Sequence, residues 1–182
     1  MEITQAQKEV RETFMGGFAG QLVSGALWGA SGAACAWHSL RAGEWVLVLG
    51  GFGIFPLTQL LLRCMGRAHG LPKGHPMNAL GVQVAFTLPL TLPLVIGIAA
   101  FHPAWFYPAF MIALGAHYLP FVFMYGMWQF ALLSAMLTGS GVAIGMFAPA
   151  PVSLGAWLTA AMLVAFAFVG RRVARSSRGG NS

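Results

Sequence analysis

No Asp, Glu, Lys or Arg occurs between Lys73 and Arg171. Soluble domains carry about 25% charged residues, whereas this chain is 8% charged and 58% hydrophobic. An uncharged run of that length excludes an ordinary soluble fold and points to an integral membrane protein. Backbone groups in lipid must be satisfied internally, so an all-α bundle is the expected fold class. Roughly 20 apolar residues span the hydrocarbon layer. Six segments fit, at about 14–37, 44–65, 78–101, 104–126, 128–147 and 152–170.

Charge placement gives an orientation, because basic residues stay on the cytoplasmic side. Arg63, Arg67 and Lys73, with His69 and His75, follow the second span, and Arg171, Arg172, Arg175 and Arg178 follow the sixth. Opposite them lie Arg41 balanced by Glu44 and the uncharged connections FHPAW and APAPV. Six passes with both termini cytoplasmic satisfy every loop. Trp and Tyr favour membrane interfaces; Trp37, Trp45, Trp105, Tyr107 and Trp157 fall near the outer surface and Tyr125 and Trp128 near the inner one. Trp28 lies mid-span and is read as a packing residue.

Residues 1–13 read as a cytoplasmic amphipathic extension of the first helix, opened by a Thr4/Gln7 capping box and running straight into the membrane as the longest helix. Residues 14–170 form the bundle, and 171–182 a basic, disordered tail. The first span is expected to remain in the mature protein, since three glutamates precede it and its apolar run is long enough to span. Net charge of +6 is accounted for by topology, and nothing calls for a nucleic-acid partner. Cys35 and Cys64 fall at opposite membrane sides, beyond disulfide reach.

Lipid provides no hydrophobic force between helices, so close packing needs small residues. The first span supplies Gly16, Gly20 and Ser24 on one register and Gly25, Gly29 and Gly32 on another; the fifth adds Gly141 and Gly145. These faces fit the centre of the bundle or a homodimer interface. Helix kinks are expected at Pro89 and Pro93, which free the carbonyls of Ala85 and Pro89 for Thr87 and Thr91 to satisfy, and at Pro120.

Chemistry concentrates in GAHYLPFVFMYGMWQ, Gly115 to Gln129. His117 lies near the bilayer midplane, where an ionisable group is a functional hypothesis by default. Gln21, Gln59, Gln83 and Gln129 come from four different spans and lie toward the cytoplasmic half. They form either a structural hydrogen-bond network or, with His117, Tyr118 and Tyr125, a polar pocket for a ligand. No span has an interior Asp or Glu, which excludes carboxylate-coupled transport, aspartyl proteolysis and carboxylate-rich metal sites. His38 and His102 are too far out to pair with His117 on a haem, so no cofactor and no metal are expected. GASG, Gly29 to Gly32, looks like the GxSG motif of rhomboid proteases, with Ser31 and His117 as the pair, but it stands on too early a helix and His117 lacks the following small residues.

The run FYPAFMIALGAHYLPFVFMYGM resembles a family of small bacterial multi-pass membrane proteins of unknown function, through Gly115, Ala116, His117, Tyr118, Pro120, Phe121 and Tyr125. A looser match surrounds Trp28. The resemblance implies a polytopic membrane fold, and bacterial inner-membrane residence is expected, but the family offers no activity. Three functions remain open: binding or transport of a small neutral or amphipathic molecule or lipid, an intramembrane enzyme with His117 as general base, and a structural or assembly subunit.

Overall fold

A computed structural model describes residues 2–67, 70–147 and 151–179, with the backbone alone for 177–179. Residues 68 and 69, which include His69, and residues 148–150 of the APAPV connection lie outside the described residues. The described residues form eight α-helices: α1 Ile3–Thr13, α2 Phe18–Trp37, α3 Leu40–Gly51, α4 Ile54–Cys64, α5 Met77–Phe101, α6 Phe106–Tyr125, α7 Gln129–Phe147 and α8 Leu154–Gly179. Short 3-10 turns at Met15–Gly17 and Pro103–Trp105 precede α2 and α6. The fold is all-α, and no strand occurs among the described residues.

Length and apolarity mark α5, α6 with its preceding turn, α7 and α8 through Ser176 as able to cross a membrane. The α3–α4 pair, bent by 61°, makes a fifth if it counts as one span. The helix of the first expected span, α2, is 20 residues long but does not pass this measure. Its glycines, serines and Gln21 dilute its apolar content.

The amino-terminal helix does not run straight into the first span. Met15, Gly16 and Gly17 take φ values of 53°, 66° and 83°, breaking the helix and turning α1 away. The left-handed region suits the glycines and costs Met15 roughly 1–2 kcal/mol. Thr4 and Gln7 form no capping box: the helix begins at Ile3 with no side-chain cap, and Gln7 reaches another helix instead. The longest helices are α8 and α5, at 26 and 25 residues. The basic tail expected to be disordered continues α8 as helix through Gly179.

Close backbone approach organises the rest. Against α8, a Cβ on Gly25 would lie 2.9 Å from Val164 Cγ2, and one on Gly32 would lie 3.2 Å from Ala156 Cβ and the Trp157 ring. Gly29 faces Ala160 on the same helix, and Gly16 and Gly170 meet backbone to backbone. The other main seam joins α6 to α7, where a Cβ on Gly141 would lie 2.8 Å from the Pro108 carbonyl. Gly145 packs on the Trp105 ring, and Gly20 faces Thr58 on α4 more loosely. The small-residue faces are thus engaged within the chain.

Two aromatics expected at membrane interfaces are interior. Tyr107 is fully buried, its hydroxyl 2.8 Å from Ser31 Oγ, beneath the position a side chain on Gly43 would need. Tyr125 is also buried. Trp37, Trp45 and Trp128 are exposed. Trp28 packs inside against Tyr107 and Phe110.

Candidate functional site

A cavity of about 370 Å³ lies between α2, α3 and α4 on one side and α5 and α6 on the other. Gln21 and Ser24 on α2 and Thr58 and Gln59 on α4 supply its polar wall, and His117, Tyr118 and Tyr125 on α6 face them. The rest is apolar, including Trp28, Leu47, Phe55, Leu88 and Phe121, and among the described residues no Asp, Glu, Lys or Arg lines it.

Five expected site residues therefore share one cavity: His117, Tyr118, Tyr125, Gln21 and Gln59. Gln83 does not join them; it is exposed on α5. Gln129, at the start of α7, lies outside the cavity, its Oε1 buried without a partner. The four glutamines form no mutual network among the described residues. Gln21 is 3% exposed, yet its Oε1 has no hydrogen-bond partner, and the same holds for Thr58 Oγ1 and Gln59 Oε1. Thr58 was not singled out from the sequence. Its signal was available in the Thr58–Gln59 pair, polar residues placed mid-helix in IFPLTQLLL.

His117 is held by threonine rather than by glutamine or tyrosine. Thr87 Oγ1 donates to the Val84 carbonyl at 2.6 Å and lies 2.7 Å from His117 Nδ1. A hydroxyl has one proton, so with Val84 receiving it, His117 Nδ1–H is the donor to Thr87 and Nε2 is the ring's acceptor. The threonines of α5 thus bond Val84 and Leu88, each one residue before the carbonyls that the prolines free. Pro89 and Ala85 are part of the cavity wall; Pro93 and Pro120 lie within α5 and α6 outside it. Phe121 and Tyr118 surround the imidazole edge-on, at 5.2 and 5.6 Å between centroids.

Ser31 and His117 do not meet. Ser31 Oγ donates to the Gly43 carbonyl at 2.7 Å and pairs with Tyr107. Tyr107 precedes His117 by ten residues on α6, about 15 Å of helix.

The cavity is bounded unevenly. α4 packs on α2 and α5 on α6, but α4 and α5 barely meet. Phe55 on α4 and Ala85 and Pro89 on α5 line the cavity and are also exposed on the outside of the bundle. The gap between these helices opens sideways. α1 is fastened to the end of α6: Gln7 Nε2 donates to the Phe123 carbonyl at 2.6 Å and Arg11 Nη1 to the Tyr125 carbonyl at 2.7 Å. Both carbonyls lie in the last turn of α6, where helix-internal partners run out; that of Phe123 also accepts the Gly126 amide at 3.3 Å. Glu9 Oε2 lies 3.2 Å from Nε2 of the buried His75, whose Nδ1 accepts from the Met77 amide at the start of α5.

Residues 3–172 match a family of unknown function, DUF7010. The chain belongs to that family. The resemblance carried by Gly115 to Tyr125 implied a family without an assigned activity, and DUF7010 is one. No curated protein and no solved structure matches this DUF7010 chain.

Proposed function

We propose that this DUF7010 protein is a six-pass protein of the bacterial inner membrane, with both termini cytoplasmic, that binds a small neutral or amphipathic molecule in the cavity beside His117. The observation that carries this reading is the set of unpartnered oxygens on Gln21, Thr58 and Gln59 in a cavity of about 370 Å³. Leaving a buried polar atom unpaired costs about 1–3 kcal/mol, so pairing these oxygens with hydroxyl or amide donors favours a ligand that carries them. The volume is within the range for small-molecule sites. A charged ligand finds no counter-charge in the lining, which favours a neutral head, while the apolar remainder and the sideways opening suit a molecule arriving from the lipid.

Six passes count α2 and the bent α3–α4 pair as spans. A helix enclosed by α3, α4 and α8 needs little apolar surface toward lipid, and 20 residues cover about 30 Å. Arg63 at the end of α4, Arg67 and Lys73 in the connection after it, and the arginines of α8 then share the cytoplasmic end.

Photolabelling in native membranes with a diazirine-bearing long-chain alcohol tests the site. Labels on α4 and α5 residues facing the gap, lost when Thr58→Trp fills the cavity, support it. Labelling spread over the bundle exterior and unchanged by Thr58→Trp contradicts it.

A further inference from the structure

At the basic end, a second cleft is walled by Arg11 of α1, Arg67 after α4, and Arg171 and Arg175 of α8, with Glu12 the one carboxylate in its lining among the described residues. The four arginines come from three separate stretches of sequence, so the fold gathers them against the repulsion of like charges. Each of three has a device that fixes it. Arg11 is tethered to the end of α6 through the Tyr125 carbonyl. The Arg171 guanidinium lies 4.6 Å over the Phe18 ring. Arg67 follows Gly66, whose φ of 66° ends α4 in a turn that returns the Arg67 amide to the Leu62 carbonyl at 3.0 Å. Arg11 Nε and Arg171 Nε are buried with no hydrogen-bond partner.

We propose that this cleft binds a phosphate group. Guanidinium forks match phosphate oxygens in pairs, and a single carboxylate leaves the cluster with unbalanced positive charge. The cleft encloses only about 20 Å³ over a floor of Met15 and Ala174, so it grips the phosphate oxygens and leaves the rest of the molecule outside. Two sources offer that group: the headgroup of an anionic phospholipid in the adjoining leaflet, and free phosphate. Basic pockets between membrane helices are suited to the first. The site is separate from the cavity beside His117 and stands whether or not that cavity binds a ligand.

The test uses the full chain in nanodiscs of mixed phosphatidylglycerol and phosphatidylcholine, with retained lipid read by native mass spectrometry. The wild-type protein is expected to retain phosphatidylglycerol preferentially. Arg67→Gln, Arg171→Gln and Arg175→Gln together should abolish the preference, at about fivefold per arginine. Arg11 is left in place because it also holds α6. A charge-matched variant, Arg63→Gln with Lys73→Gln and Arg172→Gln, should keep the preference. If the cluster variant does not fold, Arg67→Gln and Arg175→Gln are measured singly, each with an expected loss of about fivefold. In a second arm, inorganic phosphate is titrated into delipidated protein. A rise in Tm that depends on the cluster assigns the site to free phosphate; lipid preference without that rise assigns it to the headgroup. No lipid preference and no phosphate response in the wild type overturns the proposal, as does equal loss of both responses in the cluster and control variants, or no loss in any cluster variant.

Discussion

Thr87 Oγ1 lies 2.7 Å from His117 Nδ1 and gives its own proton to the Val84 carbonyl 2.6 Å away, joining the proline-containing α5 to the imidazole of α6. This bond fixes the ring's tautomer and thereby which nitrogen remains as an acceptor. Thr87→Val leaves Nδ1–H unpaired and should destabilise the protein by about 1–3 kcal/mol, seen as a lower Tm in detergent. Thr87→Ser should restore most of it. An unchanged Tm in the valine variant would mean that the bond contributes nothing.

Gln21 separates a ligand role from a packing role. Its amide oxygen is unpaired, so Gln21→Leu should leave the delipidated protein as stable as wild type or raise its stability by about 1 kcal/mol. The same variant should lose stabilisation by an added long-chain alcohol. If Gln21→Leu lowers stability without ligand, the amide is a structural partner. Thermal unfolding with and without the alcohol distinguishes the two.

The helix α1 is attached through side chains to backbone it does not cover. Removing Arg11 and Gln7 together, as Arg11→Met with Gln7→Met, takes the side-chain donors away from the Phe123 and Tyr125 carbonyls. The charged bond alone is worth about 1.5–3 kcal/mol. Hydrogen exchange should accelerate across 3–13 and in the last turn of α6, with α7 unaffected. Uniform acceleration would indicate global destabilisation instead.

Glycine faces make a contrast between two positions. Gly25→Leu must displace α8, because a Cβ alone meets Val164 at 2.9 Å and the Ala160 carbonyl at 3.3 Å; overpacking of this kind costs about 1–3 kcal/mol. Gly139→Ala meets nothing within 4 Å and should gain roughly 0.5–1 kcal/mol of helix stability. Thermal unfolding of both tests the packing. A Gly25→Leu variant that keeps its stability but changes from dimer to monomer on size-exclusion chromatography would place that face between two chains.

Much of the fold was legible in the uncharged run from Lys73 to Arg171, because lipid demands helices of spanning length and four of the expected spans are marked by that criterion. Hydropathy did not mark α2, whose small residues serve packing on α8. The break at Met15–Gly17 had a local signal in the Gly16–Gly17 pair, which favours a turn, but the fit of Gly16 against Gly170 that holds it is set by residues far apart in the chain.

The cavity was partly legible. His117 and the glutamines stood out because each polar group in an apolar helix needs a partner, and depth alone placed Gln21 and Gln59 with His117. Depth says nothing about rotation around a helix, so Gln83 was grouped with them although it faces outward. Thr87 was read as a partner of kinked backbone. Its second bond, to His117, depends on how α5 and α6 pack and cannot be seen along either helix.

Native mass spectrometry of the protein extracted from its own membrane tests the central claim most directly. The account predicts a neutral amphipathic adduct on the wild-type chain, absent from the cavity-filling Thr58→Trp variant and weakened in His117→Ala, with both variants folded. A wild-type chain without an adduct, or an adduct that persists unchanged in Thr58→Trp, would contradict it.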